Sequence, residues 1–167
     1  SALGAGVRRA GLHQRLGALG QLGRVEIELA RKRDARAPWR GDPALSGGGV
    51  LMDLGPAALD LAELLAGPLQ QIRMLDADRL QRAEVEDAMC LETAHCGGAI
   101  TSIHLSWNEA EERLLARCWG ERGELVLGGA RSTLRATDAR VYLEAPLDER
   151  ECRGALLRAL LERRLER

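Results

Sequence analysis

The chain has 167 residues and a hydrophobic content of 46%, enough to bury a core, so residues 1–167 are predicted to form one domain. Its 24 basic and 25 acidic residues leave a formal net charge of -1, which gives no overall field favouring nucleic acid or an anionic membrane as partner. No apolar run approaches the roughly 20 residues that span a bilayer. The four cysteines have neither zinc-knuckle spacing nor the context of a disulfide framework. We therefore expect a soluble, cytoplasmic protein with reduced cysteines and no bound metal.

The N-terminal part of the chain predicts a helix, a strand and a long loop. Leucines at helical spacing predict a short helix over residues 8–20. In "GRVEIELARKR", Val25, Ile27 and Leu29 alternate with charged residues, which is the period of a strand with one wet face. The following "DARAPWRGDPALSGGG" is rich in proline, glycine and aspartate and predicts an ordered loop.

A long helix is predicted from Val50 to Ala66. Its aliphatic residues recur at steps of three and four, and the "AGP" that follows Leu65 ends it. Pro56 cannot donate a backbone hydrogen bond and clashes with the carbonyl four residues back. The helix therefore either continues through Pro56 or breaks near Gly55 and restarts with Pro56 in its first turn.

Beyond residue 68 the apolar period changes to two, which predicts a run of short strands. The strand segments are "LQQIRMLDAD", "VEDAMCLETAH", "GAITSIHLSW", "ERLLARCWGE", "GELVLG", "RSTLRAT" and "ARVYLEA". Glycine-containing turns at residues 96–98 and 120–123 predict hairpins. A closing helix is predicted from a capping-box-like start at Asp148 and Glu151 and from the leucine stripe after it.

This order of elements predicts an α+β fold, an open and mostly antiparallel β-sheet with helices packed on one face. Several strands, such as "AMCLETA" and "LVLG", are apolar at both alternating positions. This predicts that the other face is partly buried by oligomer or domain contacts. The alternative is a face with scattered apolar residues in water.

The segment "GGGVLMDLGPAALD" carries two aspartates at the start of the predicted long helix. If that helix is continuous, Asp53, position 57 and Asp60 lie within roughly 60° of one another, beside the leucine stripe. A carboxylate pair in such a place can have its titration pushed toward neutrality, which suits general acid and base catalysis. The alternative is that Asp53 caps or hydrogen-bonds the loop and that Asp60 is solvated.

Three further residues are candidates for substrate binding. Trp39 precedes the glycine loop and Trp107 ends a long strand, and a flat apolar ring suits a sugar, although core or interface packing is the more common role of a tryptophan. Arg40 ends a run of six basic residues that begins at Arg24 and that suits a phosphate or carboxylate contact, or else a solvated strand end. The cysteines and histidines of the predicted sheet lack the spacing of a structural zinc site.

Three segments, in order, carry a family resemblance: "LGQLGRVEIE", "PWRGDPALSGGGVLMDLGPAALDLAELLAGP" and "EVEDAMCLETAHCGGAITSIHLSW". They resemble the C-terminal domain of the Gfo/Idh/MocA family of NAD(P)-dependent oxidoreductases, which includes glucose-fructose oxidoreductase and inositol dehydrogenase. The resemblance implies an open, largely antiparallel sheet that supplies substrate and oligomer contacts. Asp53 and Asp60 match the first and last aspartates of the family motif D-x-G-x-H-x-x-D, which implies catalytic roles for both.

The sequence departs from the family pattern in two ways. It contains neither the E-K-P segment nor the glycine-rich phosphate loop of a Rossmann domain; "GAGVRRAG" at 4–11 lacks the third glycine and a preceding strand. No cofactor is therefore expected in this chain, whereas NAD or NADP is expected for a full-length parent. The motif histidine, which the family uses in proton transfer from the substrate hydroxyl, is replaced by Ala57, which has no titratable group.

Two functions follow as hypotheses. The first is the substrate-binding and oligomerisation domain of an NAD(P)-dependent oxidoreductase that acts on a small sugar-like or cyclitol-like molecule. In this hypothesis Asp53 orients the substrate and Asp60 supports the substrate. The full-length parent is expected to be a homodimer or higher homo-oligomer, and this chain alone is expected to be inactive. The second is a non-catalytic binding or scaffold module that kept the sheet and lost the proton-transfer group at Ala57.

Overall fold

The computed structural model describes residues 17–128 and 133–136. Its helices are α1 (Pro38–Gly41), α2 (Pro43–Ser46) and α3 (Val50–Ala66). Its strands are β1 (Leu22–Ala30), β2 (Leu69–Asp78), β3 (Ala88–His95), β4 (Ile100–Ser106), β5 (Arg113–Gly120), β6 (Gly123–Gly128) and β7 (Thr133–Ala136). Most of the first predicted helix, the "ARVYLEA" strand and the closing helix lie outside the described residues. Within them, no helix has the length and apolar character needed to cross a membrane.

The described strands form one seven-stranded sheet in the order β2-β3-β4-β1-β5-β6-β7. The pair β1 and β4 is parallel and the other neighbouring pairs are antiparallel, so the predicted α+β fold with a mostly antiparallel sheet is confirmed. The successive strands β4 and β5 are not neighbours in the sheet, because β1 lies between them. The parallel pair brings the carboxyl ends of β1 and β4 together at one end of the sheet.

Helix α3 packs on one face of the sheet, against β1, β3 and β4. The core residues beneath it alternate along these strands, and they include Val25, Ile27, Leu29, Met89, Leu91, Ile103 and Leu105. The facing residues of α3 are Val50, Leu54, Ala58, Leu61 and Leu65. Burial of each large aliphatic side chain stabilises the fold by about 1.5–3 kcal/mol. The leucine stripe predicted for this helix is therefore what attaches it to the sheet.

Of the two alternatives for the long helix, the structure has the continuous one, with Pro56 inside α3 and no break near Gly55. Pro56 is exposed, and so is Met52, whose carbonyl is the acceptor that the proline leaves without an N–H donor. On the solvent side of a helix, water can satisfy such a carbonyl. The cost of the proline is offset by the buried aliphatic residues on the opposite side of the helix.

The other face of the sheet is rich in charge at its centre. Arg117 of β5 lies 3.6 Å from Glu26 and 3.9 Å from Glu28 of β1, and Arg113 lies 3.5 Å from Glu28. At the edge, Arg73 and Glu92 form a further pair at 2.7 Å. In the middle of the sheet, acidic and basic residues therefore interrupt the apolar character predicted for this face, to which Leu115 and Trp119 still contribute. That another copy or domain covers this face stays a prediction.

The buried thiol of Cys118 on β5 gives an expected alkaline sensitivity. Burial raises the pKa of Cys118 from 9.0 to about 12, since the thiolate is poorly solvated in the core. Between pH 9 and 12 the unfolded chain loses this proton and the folded chain keeps it. Stability that is present below pH 9 is therefore lost with rising pH, by about 1.4 kcal/mol per pH unit from this group.

The measurement is urea unfolding of the native chain and of Cys118→Ala between pH 8.5 and 10.5 under reducing conditions. We expect the free energy of unfolding to fall more steeply with pH in the native chain than in the variant, whose absolute stability is lower throughout. If the free energy of unfolding falls equally with pH in the two proteins, the raised pKa of Cys118 is contradicted.

Candidate functional site

Three side chains meet where the parallel strands end. Arg31 directly follows β1, Trp107 directly follows β4, and Asp53 lies in the first turn of α3. The two strand ends are joined by backbone hydrogen bonds from Arg31 N–H to Ser106 O at 2.9 Å and from Arg33 N–H to Trp107 O at 3.1 Å. The parallel pairing of β1 and β4 therefore places residues 76 positions apart in sequence beside the same helix terminus.

Asp53 is held by three donors. Its Oδ2 accepts from Arg31 Nε at 2.9 Å and from Trp107 Nε1 at 2.9 Å, and its Oδ1 accepts from Arg31 Nη2. Each carboxylate oxygen has two acceptor positions, so Oδ2 is fully engaged and Oδ1 keeps one position. The Asp53 side chain is 30% exposed. The carboxylate is thus fixed in orientation and still reachable by a hydroxyl donor.

Glu86, in the connection between β2 and β3, caps the helix that carries Asp53. Its Oε1 accepts from the N–H groups of Gly49 and Leu51 at 3.1 Å each, and its carbonyl accepts from Val50 N–H at 2.9 Å. A carboxylate at this terminus is favoured by the unpaired N–H groups and by the helix dipole. A Cβ at Gly49 would lie 1.8 Å from Glu86 O, so this close approach requires glycine. The start of α3 is therefore fixed by a distant residue.

Asp87, the next residue, anchors the loops around the site. It is fully buried, and its carboxylate accepts from Leu80 N–H at 3.0 Å, Gln81 N–H at 2.6 Å and Asn108 Nδ2 at 2.9 Å. Its carbonyl accepts from Trp107 N–H at 2.8 Å. A buried carboxylate needs such donors to offset its lost hydration. Asp87 therefore holds the residues that follow β2 and β4 in one arrangement.

Gln81 extends this network to the loop after β1. Its Oε1 accepts from Ala35 N–H at 2.8 Å, and its Nε2 donates to Arg33 O at 2.9 Å and to Asn108 Oδ1 at 3.0 Å. One amide side chain thus joins the loops that follow β1, β2 and β4. The backbone on both sides of Arg31 and Trp107 is consequently well supported.

The second predicted aspartate lies apart from the first. Asp60 is half-buried and seven residues further along α3, so it lies about 10 Å from Asp53 along the helix axis. The two carboxylates are on the same side of the helix, but two turns separate them, so they cannot share a proton. Ala57, between them, packs against the core and supplies no titratable group.

The predicted substrate residues Trp39 and Arg40 lie together on α1. Trp39 is 56% exposed, and the Arg40 guanidinium stacks over its ring at 4.5 Å from the centroid. Arg40 also donates to Asp34 O at 3.1 Å. None of the contacts described for this pair includes Asp53, so the structure gives Trp39 an exposed face without joining it to the aspartate.

Trp107 is not exposed, as a ring that stacks against a sugar would have to be. Its ring is 2% exposed and belongs to the hydrophobic core, with its indole N–H directed to Asp53. The ring therefore has the core packing that was the alternative for this residue, and its stacking on a sugar stays a prediction. Trp107 instead supports the orientation of the Asp53 carboxylate.

Sequence reasoning missed the partners of Asp53 and of its helix. Arg31 is one of six basic residues in a run, and nothing in the run distinguishes it from its neighbours. Glu86 and Asp87 form part of "EVED" before β3, where acidic residues usually mark a solvated turn. An alternating strand that ends in a tryptophan is the one available signal, and it indicates Trp107.

The sheet cysteines and histidines have local partners. His95 is buried, with Nδ1 at 2.7 Å from Gly67 O and Nε2 near the hydroxyls of Thr93 and Thr101. Cys90 Sγ lies 3.2 Å from His104 Nδ1, and burial, with Asp76 and Asp78 nearby, raises the pKa of this thiol. Across residues 17–128 and 133–136, no three His, Cys, Asp or Glu side chains are grouped so as to hold a metal ion.

The family assignment rests on a match over most of the chain. The sequence profile of the GFO/IDH/MocA C-terminal domain matches residues 12–126, which contain α1 to α3 and β1 to β5 entire. The chain belongs to the Gfo/Idh/MocA family and carries its C-terminal domain. A comparison with curated protein sequences finds no significant match.

Solved structures share the fold at low sequence identity. An NAD binding oxidoreductase from Klebsiella pneumoniae is 20% identical with a TM-score of 0.69, over 81% of this chain and 41% of that one. The WlbA dehydrogenase from Bordetella pertussis, in complex with NADH and UDP-GlcNAcA, is 23% identical with a TM-score of 0.61, over 93% and 47%. Levoglucosan dehydrogenase, in complex with NADH and levoglucosan, is 14% identical with a TM-score of 0.69, over 89% and 53%. This chain therefore spans about half the length of these oxidoreductases.

The described residues do not fit a dinucleotide. A dinucleotide phosphate is bound by free N–H groups at a glycine-rich turn before a helix. The glycine-rich turn before α3 is the nearest equivalent, but the Glu86 carboxylate already accepts from the N–H groups of Gly49 and Leu51. The backbone of Gly49 is also packed against Glu86. The anion position at this helix terminus is therefore filled by the protein itself.

Proposed function

We propose that this chain is the substrate-binding domain of an NAD(P)-dependent oxidoreductase that acts on a sugar or cyclitol, with NAD or NADP held by a separate Rossmann domain. Family membership supports the class of enzyme. The levoglucosan and UDP-GlcNAcA complexes of two structural neighbours support a sugar-like substrate. Assembly into a homodimer or larger homo-oligomer through the open sheet face belongs to the same proposal, since that face carries both acidic and basic residues.

The observation that carries this proposal is the geometry of Asp53. Arg31 and Trp107 fix its carboxylate, and one acceptor position on Oδ1 remains at a partly exposed edge. A substrate hydroxyl that donates to Oδ1 would be held in one orientation, and such positioning is a large part of the work of an active site. Asp60 would support the substrate or the helix from two turns away. Trp39 and Arg40 would contribute an exposed ring and a cation at the loop.

The absence of a proton acceptor at Ala57 limits what this domain does by itself. Asp53 orients a hydroxyl, and the histidine that would take the hydroxyl proton in the family motif is not there. Catalysis would then need a base at a position other than residue 57. The rival function is a non-catalytic binding or scaffold module. It is favoured by the alanine at position 57 and by the contacts of Asp53, because Arg31 and Trp107 occupy most of the acceptor positions of its carboxylate.

Asp53→Asn tests the proposal in the protein that contains this chain together with a Rossmann domain. The amide loses the ion pair to Arg31 and the anionic acceptor for the substrate hydroxyl. Loss of one charge-assisted hydrogen bond is worth about 1.5–3 kcal/mol, so kcat/KM is expected to fall about 10- to 150-fold. The measurement is NAD(P)H formation with a panel of sugars and cyclitols.

The matched control is Glu121→Gln, the same acid-to-amide change at an exposed turn at the opposite end of the sheet, which should leave kcat/KM unchanged. Ala57→His in the same protein restores the family motif and is expected to raise kcat. Sugar binding without turnover in the native protein, and no gain from Ala57→His, would decide for the non-catalytic module.

A further inference from the structure

A cleft lies at the same end of the sheet as Asp53. It is open to solvent and has a volume of about 400 Å³ between the loop after β1 and the turn between β2 and β3. Its lining residues are Ala35, Arg36, Ala37, Pro38, Gly41, Asp42, Arg82, Ala83 and Glu84. The volume lies within the roughly 300–1,000 Å³ that is common for small-molecule sites. Arg31, Asp53 and Trp107 do not line it, so this cleft is separate from the contacts of the Asp53 carboxylate.

The two walls of the cleft are held in place. Gln81 links them, because it belongs to the β2–β3 connection and its side chain accepts from Ala35 N–H at 2.8 Å. Gly41 packs closely against the loop, where a Cβ would lie 2.5 Å from Ala35 O. The Asp87 carboxylate fixes the turn between β2 and β3 by accepting from the N–H groups of residues 80 and 81. The cleft is therefore a feature of the folded connections and does not depend on exposed side chains alone.

Each wall of the cleft supplies one arginine. Arg82 has φ 59, a left-handed conformation that is uncommon for a residue other than glycine. Among the described residues its guanidinium makes no hydrogen bond or ion pair. Arg36, on the opposite wall, is paired with the exposed Asp34 at 3.3 Å. Arg82 and Arg36 are the two basic residues of the lining, and planar guanidinium groups bind oxyanions well.

Two carboxylates in the lining of the same cleft add hydrogen-bond acceptors to it. Glu84 is exposed, and its carboxylate has no partner among the described residues. Asp42 uses Oδ1 to cap α2 at Ala44 N–H and keeps further acceptor positions. Carboxylates beside two arginines would repel a bare anion but accept hydrogen bonds from hydroxyl groups. The lining therefore suits a molecule with both hydroxyl groups and an oxyanion.

We propose that this cleft binds the anionic group of a sugar phosphate or sugar acid, with Arg82 and Arg36 as its ligands and Glu84 as a hydroxyl acceptor. The inference rests on the proposed function in that it specifies the substrate of the same domain. Its test is a binding measurement that needs neither dinucleotide nor turnover, so its failure is distinguishable from failure of the oxidoreductase proposal.

The test is calorimetric titration of this chain with four probes: glucose 6-phosphate, glucuronate, glucose and inorganic phosphate. We expect at least one of the two anionic sugars to bind tenfold or more tightly than glucose, and the stronger of the two identifies the phosphate or the carboxylate as the group recognised. Arg82→Asn removes the guanidinium and retains a residue that tolerates the left-handed conformation. It is expected to weaken that binding about tenfold or more.

Arg79→Asn is the matched control, since Arg79 belongs to the same connection and does not line the cleft. It should leave the affinity unchanged. If both variants weaken binding of the anionic sugar equally, the effect comes from the overall positive charge of this region, and the proposed site is contradicted. The site would also be overturned if neither anionic sugar binds, or if glucose 6-phosphate and inorganic phosphate bind equally.

Discussion

Gly49→Ala is expected to lower the free energy of unfolding by about 3 kcal/mol or more. The new Cβ would lie 1.8 Å from Glu86 O and 2.8 Å from Glu86 C, and both are backbone atoms that no change of rotamer can move away. Relief of the clash has to separate α3 from the β2–β3 connection. This separation would also break the caps that Glu86 provides to Gly49 and Leu51.

Urea unfolding of Gly49→Ala and Gly97→Ala measures this effect against a matched change. A Cβ at Gly97 meets nothing within 4 Å, so that variant should be within about 0.5 kcal/mol of the native chain. A shift in the urea midpoint with an unchanged m-value identifies a loss of stability without a change in the extent of unfolding. If the two variants unfold at the same urea concentration, the contact between Gly49 and Glu86 is not as described.

Asp87→Ala is expected to lower the free energy of unfolding by about 2–4 kcal/mol. The variant leaves the N–H groups of Leu80 and Gln81 and the amide of Asn108 without the carboxylate that satisfies them. The site is fully buried, so water does not replace the lost acceptor without rearrangement. The loops that follow β1, β2 and β4 should loosen together because Gln81 joins them.

Hydrogen exchange gives the sharper measurement for this variant. We expect faster exchange at Ala35, Gln81 and Trp107, whose N–H groups depend directly or indirectly on Asp87. The control is Glu84→Ala, which removes an exposed carboxylate three residues earlier and should change stability by less than about 0.5 kcal/mol. Native-like exchange at these three positions in Asp87→Ala would show that the network is dispensable.

Glu86 and Asp87 together explain why the β2–β3 connection matters for Asp53. Glu86 fixes the start of the helix that carries Asp53, and Asp87 fixes the residues next to its partners Arg31 and Trp107. Two consecutive acidic residues thus position the helix and the strand ends relative to each other. A change in this connection should therefore alter the orientation of the Asp53 carboxylate without contacting it.

Local sequence patterns determined most of the secondary structure. The alternation of Val25, Ile27 and Leu29 predicts β1, and the three- and four-residue steps between Val50 and Ala66 predict α3. The glycine-containing turns before β4 and before β6 predict hairpins that the structure contains. These features depend on residues that are neighbours in sequence, so periodicity and turn chemistry are sufficient to identify them.

The pairing of strands that are distant in sequence decided which side chains meet at the candidate site. The insertion of β1 between β4 and β5 brings Arg31 beside Trp107, and neither residue carries a local signal for that contact. Asp53 was visible from the sequence as an acid near a helix start, but its two partners come from strands that are far apart in the chain. The burial of the Trp107 ring and the cap from Glu86 likewise arise from long-range packing. The sequence by itself therefore determined which segments are strands and helix, whereas the pairing of distant strands decided which side chains meet, because that choice depends on packing the whole sheet.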